Sequence, residues 1–131
     1  MQTRHRQDDW FLPCDPASAG EARRHVAGAC SGLGREFHDV AVLLTSELVG
    51  NAVEHAQGDI QLVVSTGTDR FRVEVHDLSS VTPSPQLSGG IAPRGRGLML
   101  VERLSSEWGV DPSPRGGKQV WFQLRLPRGR R

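Results

Sequence analysis

Two side chains that carry oxygen atoms lie four positions apart in a long, proline-free segment: Glu47 and Asn51. In a helix, residues at this spacing share a face, with Cβ atoms roughly 5–6 Å apart. One carboxylate and one amide side by side can hold a hydrated Mg²⁺, because this hard cation prefers oxygen ligands. The same spacing also fits a solvated polar stripe on an amphipathic helix, so the pair alone leaves both interpretations open.

A further acid, Asp77, stands where an alternating apolar strand pattern stops and a loop pattern begins. Ligands are often bound by residues at such boundaries. A carboxylate there can accept a hydrogen bond from the exocyclic amine of adenine, whereas guanine presents an acceptor at that position. An aspartate that simply begins a turn is the alternative interpretation.

Gly95 and Gly97 precede an apolar helical segment. Glycine lets backbone N–H groups approach an anion closely, and the N-terminus of a helix favours negative charge. The segment is not a Rossmann fingerprint, because position 100 is leucine and no parallel strand precedes it. It therefore predicts a phosphate site only in combination with other segments.

The surrounding residues predict the elements that must position these side chains. An edge strand is expected at 10–12, since Pro13 follows, and Ser18 with Glu21 resembles a helix N-cap. The other predicted elements are helices at 19–31 and 36–56, a β-hairpin of strands at 60–65 and 71–76, a helix at 98–105, and strands at 108–110 and 120–126. This order predicts an α/β (α+β) two-layer sandwich, with a mixed, mostly antiparallel sheet covered by helices on one face.

Composition limits the class of protein. The chain has 131 residues, of which 37% are hydrophobic and 24% charged, as expected for one globular domain over 1–131 with a core at about 8–127. No apolar run reaches the roughly 18–20 residues of a membrane span, and the first residues lack the apolar segment of a secretory signal, so a cytoplasmic protein without membrane contact is expected. The net charge of +1 argues against direct nucleic-acid binding. Cys14 and Cys30 lack zinc-site spacing and are expected to be free thiols.

In their order and spacing, the three segments resemble the GHKL, or Bergerat-fold, ATP-binding domain of histidine kinases and gyrase. The N-box is similar to residues 46–56, SELVGNAVEHA; the strand with the adenine-binding aspartate is similar to 73–77, VEVHD; the second glycine box is similar to 95–101, GRGLMLV; and the closing strand is similar to 117–121, GKQVW. Within this family, the chain most resembles anti-sigma factor serine kinases and related stand-alone histidine kinase-like ATPases of actinobacteria.

The resemblance implies a role for each matching residue. Asn51 would coordinate Mg²⁺, Glu47 would act as the general base, and Asp77 would read the adenine amine. The loop at 80–94 would be the ATP lid. The implied nucleotide-binding residues are Asn51, His55, Asp77, Gly95, Arg96, Gly97 and Leu98.

Several positions depart from the pattern of the family. Ser79 and Ser80 stand where glycines are common, and Pro93 stands where a further glycine is common. Glu54 occupies a position that is often basic, and Gln119 one where a threonine often helps to bind the water at the adenine site. ATP binding is still expected, whereas turnover depends on Glu47 nearly alone.

The resemblance implies an ATP-binding regulatory protein of the anti-sigma type. It would bind a sigma factor and act as a serine/threonine kinase on a serine of an antagonist (anti-anti-sigma) protein supplied in trans. The alternative is a non-catalytic interaction module that binds ATP or ADP and changes partner affinity. A third interpretation is a structural or small DNA-associated domain, although the near-neutral charge argues against DNA. The edge strand near Trp10 also allows a homodimer.

Overall fold

The secondary structure comprises five strands and three helices in the part of the chain that the computed structural model describes, residues 5–55, 58–77, 95–114 and 116–127. In chain order these elements are β1 (Arg6–Leu12), α1 (Ser18–Ala29), α2 (Arg35–His55), β2 (Ile60–Thr66), β3 (Arg70–Asp77), α3 (Gly95–Leu104), β4 (Glu107–Pro112) and β5 (Lys118–Arg125). Most element boundaries lie close to those that hydrophobic periodicity predicts.

The strands form one open sheet in the order β1-β2-β3-β5-β4. Each neighbouring pair is antiparallel. The prediction of a mixed sheet allowed for parallel strands as well, but the described strands include no parallel pair. β1 lies at one edge, as predicted, but spans seven residues rather than three. The two-layer sandwich and the β2–β3 hairpin are both confirmed.

The helices form the second layer, and α2 is central to it. α2 packs against α1, α3, β3 and β5. Its buried residues recur at helical spacing and are Ala41, Leu44, Thr45, Leu48, Val49 and Ala52. Opposite them, the aromatic rings of Phe71 and Phe122 are fully buried in the same core. Burial of such side chains stabilises the fold by about 1.5–3 kcal/mol each, so α2 is firmly held on the sheet.

The entry to α1 differs from the prediction. Ser18 is the first helical residue rather than the N-cap, and its Oγ donates a hydrogen bond to the carbonyl oxygen of Pro13 at 2.6 Å. The carboxylate of Asp15 accepts a hydrogen bond from the backbone N–H of Ala17 at 2.8 Å. An aspartate turn therefore begins the helix, because its short side chain reaches a nearby backbone N–H.

The sheet face opposite the helices carries a connected set of polar side chains. Nε of Arg72 donates to Glu74 at 2.6 Å, and the Arg72 guanidinium lies 4.1 Å from the ring centroid of Trp121. The other carboxylate oxygen of Glu74 lies 2.8 Å from Nε2 of His76, whose Nδ1 lies 2.8 Å from Oγ of Ser113. Because these residues belong to β3, β5 and the segment after β4, the network ties these parts of the sheet together.

The ionisation of Glu74 contributes to stability in a pH-dependent way. Burial by itself raises the pKa of Glu74, but hydrogen bonds with His76 and Arg72 and the charge of Arg72 outweigh it, so the pKa lies below its ordinary value. A lowered native pKa stabilises the fold above the unfolded-state pKa, and this contribution is lost as the pH falls through the native value.

We therefore expect Glu74→Gln to lower the free energy of unfolding by about 1–3 kcal/mol at neutral pH. The variant should also lose less stability than the wild type on acidification. Urea unfolding at neutral and acidic pH measures both effects. Glu107→Gln is the control, since Glu107 is largely exposed and should change stability little. Equal acid sensitivity of the wild type and Glu74→Gln would contradict this assignment.

Gly109 on β4 is required by the close approach of Trp121. A Cβ atom at Gly109 would lie 2.8 Å from Cζ2 of the indole ring. The ring has little room to move, because its Nε1 donates to Asp111 at 2.8 Å and Arg72 stacks on it. Gly109→Ala should thus lower the free energy of unfolding by about 1–3 kcal/mol.

Chemical denaturation measures this effect, and Gly28→Ala is the matched control. A Cβ atom at Gly28, near the end of α1, would meet no atom within 4 Å. Because glycine weakens a helix relative to alanine, Gly28→Ala should be neutral or stabilising by up to about 1 kcal/mol. A Gly109→Ala variant as stable as Gly28→Ala would show that the indole ring moves freely.

Candidate functional site

The predicted site residues of α2 and β3 lie at the same end of the sheet. Asp77, the last residue of β3, pairs in register with Ile60, the first residue of β2. Between Ile60 and His55, where α2 ends, the chain has four residues and can span at most roughly 17 Å. The C-terminal part of α2, which carries Asn51, must therefore lie near the end of the sheet that Asp77 occupies.

Glu47 and Asn51 are one helical turn apart and both are half-buried. Their neighbours Leu48 and Ala52 are buried in the core, so the two polar side chains lie at its margin on a firmly packed helix. His55 is exposed at the last position of α2. The placement gives Glu47 and Asn51 the rigid support that a functional group needs, while their chemical roles stay predictions.

Asp77 is buried, with 4% of its surface exposed. Lys118, the first residue of β5, pairs with it in register and is also buried, and its Nζ lies 4.0 Å from Oδ2 of Asp77. Burying a carboxylate is costly unless it is paired, so Asp77 is more than a solvated aspartate at the start of a turn. The arrangement combines a buried acceptor with a buried cation.

Lys118 was not among the predicted site residues, although the sequence contained a signal for it. It is in phase with Val120 and Phe122, which the strand pattern places on the core side of β5. A lysine at a core-facing strand position is unusual. The register also places Gln119 opposite His76 and Lys118 opposite Asp77, so Lys118 rather than Gln119 is the residue paired with the aspartate.

The glycine segment forms part of α3 rather than a turn in front of it. α3 begins at Gly95, so the prediction that the helix starts at Leu98 is wrong by three residues, and Arg96 and Gly97 belong to its first turn. The first N–H groups of a helix have no intrahelical acceptor. Such N–H groups can bind an anion, which is the role that the prediction gives to this segment. Leu98 is half-buried and packs against the core.

The direction of α3 follows from the chain after it. Two residues link α3 to β4, and the backbone N–H of Ser106 donates to the carbonyl oxygen of Gln123 at the end of the sheet far from Asp77. Since α3 also packs against α2, its first turn is directed back towards the end that carries Asp77. The predicted lid at 80–94, together with Ser79, Ser80 and Pro93, lies outside the described residues.

No cluster of three or more His, Cys, Asp or Glu side chains that could hold a metal ion is found in residues 5–55, 58–77, 95–114 and 116–127. Mg²⁺ does not need such a cluster, because it keeps several waters and usually binds one or two protein oxygens and substrate phosphates. A single amide oxygen from Asn51, with Glu47 one turn away, fits this requirement.

The two cysteines are both thiols, as predicted. Burial raises the pKa of the Cys30 thiol to about 11, which makes it a poor nucleophile at neutral pH. Cys14 is partly buried, and its Sγ lies 3.5 Å from the carbonyl oxygen of Val53 near the end of α2. These thiols therefore act as packing groups in the structure.

A cavity of about 370 Å³ lies at the other end of the sheet. Its lining includes Trp10, His25 and Thr66, and the rings of Trp10 and His25 stack at 4.0 Å. Thr66 pairs with Phe71, six residues before Asp77, so the cavity is about 20 Å from the carboxylate along the strands. It is separate from the site at Asp77.

Comparison with protein families decides the assignment. Residues 12–124 match the model of the histidine kinase-like ATPase domain. The chain belongs to this family. A search of curated proteins gave no significant match. The predicted GHKL resemblance is confirmed, and the ATPase domain supports ATP binding as its basic property. In the described part of this domain, no helix is long and apolar enough to span a membrane.

Proposed function

We propose that this ATPase domain is an ATP-dependent protein serine/threonine kinase of the anti-sigma type. It would phosphorylate a serine on an antagonist protein and bind a sigma factor. The observation that carries this proposal is the placement of Glu47, a half-buried carboxylate, one turn before Asn51 at the end of the sheet where Asp77 is buried. The general base Glu47, the metal ligand Asn51 and Asp77, the acceptor for the adenine amine, would then face one nucleotide.

The chain offers a distinct group for each part of the nucleotide. The carboxylate of Asp77 accepts a hydrogen bond from the exocyclic amine of adenine. The first turn of α3, from Gly95, receives the phosphates, because its N–H groups and its helix dipole favour negative charge. Asn51 would hold Mg²⁺, which would supply positive charge beside the phosphates. His55 and Arg96 stay predicted nucleotide contacts.

Glu47 acts as the general base in this proposal. It takes the proton of the acceptor hydroxyl while that oxygen forms a bond to the γ-phosphorus, and the bond from the γ-phosphorus to the bridging oxygen of ADP breaks. A hydroxyl is a weak nucleophile at its own pKa and gains strongly from an adjacent base. This is why a positioned carboxylate favours serine or threonine as the acceptor.

A non-catalytic, nucleotide-gated module is the second candidate. Glu54 is exposed on the last turn of α2, where its negative charge would oppose phosphate rather than stabilise it. A buried lysine, Lys118, also lies beside the aspartate that is expected to bind adenine, which is a departure from the site expected for this family. Such a module would bind ATP and alter partner affinity without phosphoryl transfer.

Calorimetry combined with phosphoryl transfer distinguishes the two candidates. We expect ATP to bind to the wild type, and Mg²⁺ to increase its affinity. In Asn51→Ala, ATP should still bind, but Mg²⁺ should no longer increase the affinity. ATP labelled with ³²P at the γ-phosphate, incubated with the chain and dephosphorylated proteins of its host, should label a partner. The label should survive acid and be lost in alkali, as phosphoserine does. ATP binding without any labelled partner would favour the gated module, and no ATP binding would overturn both.

A further inference from the structure

His76 is buried near the end of β3, directly before Asp77. Successive side chains of a strand point to opposite faces of a sheet. The Asp77 carboxylate is in phase with the core residue Val75, so the imidazole of His76 lies on the face away from the helices. Its Nε2 lies 2.8 Å from Oε1 of Glu74, and its Nδ1 lies 2.8 Å from Oγ of Ser113. Both ring nitrogens are thus engaged directly behind the residue expected to bind adenine.

The carboxylate of Glu74 gives this hydrogen-bonded series a direction. Although burial raises the pKa of Glu74, its hydrogen bonds with His76 and Arg72 lower it overall, so Glu74 is ionised at neutral pH. An ionised carboxylate can only accept hydrogen bonds. In the neutral imidazole, Nε2 therefore carries the hydrogen, and Nδ1 accepts from the hydroxyl of Ser113. Each donor in the series has an acceptor, which holds the imidazole in one orientation.

Ser113 belongs to the turn that joins β4 to β5. Its backbone N–H donates to the carbonyl oxygen of Gly117 at 3.0 Å, which closes the turn. Gly117 directly precedes Lys118, the residue of β5 that pairs with Asp77 in register. The hydrogen bond between Ser113 and His76 therefore fastens this turn to the last residues of β3, beside the backbone that carries Asp77.

The end of β3 is a place where such support matters. Asp77 is the last residue of the strand, and the ends of secondary-structure elements open more readily than their centres. A hydrogen bond weakens steeply when its donor and acceptor are misaligned. A binding group therefore needs neighbours that hold it to within about 0.5 Å of its working position. The contact between His76 and Ser113 can supply this support from the opposite face of the sheet.

We propose that His76 and Ser113 are positioning residues for nucleotide binding, an inference that rests on the proposed binding of ATP at Asp77. They act through Asp77 rather than on the nucleotide, because they lie on the other face of the sheet. They hold the end of β3 so that the carboxylate of Asp77 is aligned with the 6-amine of adenine. Loss of their hydrogen bond should weaken recognition of the amine and leave phosphate binding unchanged, since the groups proposed for the phosphates lie on α2 and α3.

Purine riboside 5′-triphosphate, which is ATP without the 6-amine, makes this difference measurable. Calorimetry should show that the wild type binds ATP at least about tenfold more tightly than this analogue, because the analogue lacks a hydrogen bond to a charged acceptor. In Ser113→Ala, this preference should fall at least about threefold through weaker ATP binding, since the hydrogen bond to the amine is misaligned. The affinity for the analogue should stay unchanged. A merely structural defect would weaken both ligands equally and leave the preference as it is.

His76→Phe removes the same hydrogen bond from its other partner and should lower the preference as Ser113→Ala does. Because both changes break one interaction, the double variant should lose no more preference than His76→Phe alone. Ser105→Ala is the matched control, since Oγ of Ser105 donates to the carbonyl oxygen of Val101 at 2.6 Å, after α3 and away from the end of β3. It should leave the preference unchanged.

The possible results separate the positioning role from ATP binding. An unchanged preference in folded Ser113→Ala and His76→Phe proteins would overturn the positioning role while leaving ATP binding intact. A wild type that binds ATP and the analogue equally would overturn recognition of the amine by Asp77, and the positioning role with it. Failure of the wild type to bind either nucleotide would instead overturn the proposed function itself.

Discussion

Glu47→Ala should slow phosphoryl transfer to the partner by about 10²–10⁴-fold, the usual contribution of a positioned general base. The affinity for ATP should stay within about threefold of wild type, because the base acts on the acceptor hydroxyl and gains its effect in the transition state. Fold stability should also change little, since Glu47 is half-buried at the margin of the core rather than inside it. Single-turnover transfer of the γ-phosphate and calorimetry with ATP–Mg²⁺ measure the two quantities.

Glu36→Ala is the matched control for this experiment. Glu36 is the same residue type on the same helix, but it is exposed in the first turn of α2, far from the end where α2 meets the site. Its replacement should leave the transfer rate near that of the wild type. Equal transfer rates for Glu47→Ala and Glu36→Ala would show that a group other than Glu47 is the general base.

Asp77→Leu should have the largest effect on stability of the substitutions considered. It leaves the Lys118 ammonium buried without its partner, and loss of one member of a buried ion pair costs about 3–5 kcal/mol. The variant should also lose ATP binding, because the acceptor for the 6-amine is gone. Denaturant unfolding and calorimetry measure the two losses, although a weakly folded variant would lose ATP affinity for either reason.

The double variant Asp77→Leu/Lys118→Met separates folding from binding. Replacement of a buried ion pair by apolar side chains of similar size is often neutral or stabilising, so the double variant should recover most of the lost stability. It should still fail to bind ATP, since the carboxylate that accepts from the 6-amine of adenine is absent. A stable double variant that binds ATP as well as the wild type does would show that the adenine ring does not bind at Asp77.

Much of the fold follows from short-range patterns in the chain. The helical spacing of Leu44, Leu48 and Ala52 predicts α2 to within one residue at the ends that can be compared, and strand alternation predicts the β2–β3 hairpin. The position of Asp77 at the end of β3 follows from the same alternation. These features depend on neighbouring residues, which is why the sequence alone determined them and why the likeness to the ATPase family was apparent.

Other features depend on pairing between distant segments, and only the tertiary structure decided them. The register of β3 and β5 sets Lys118, rather than Gln119, against Asp77, and a shift by one residue would exchange the two faces of the strand. The same pairing brings His76 to Ser113, which lies 37 positions away. No local pattern contains the register, because it results from the packing of the whole sheet against its helices. The sequence thus determined which residues could bind a nucleotide, while the fold decided that a buried lysine stands beside the aspartate expected to read its base.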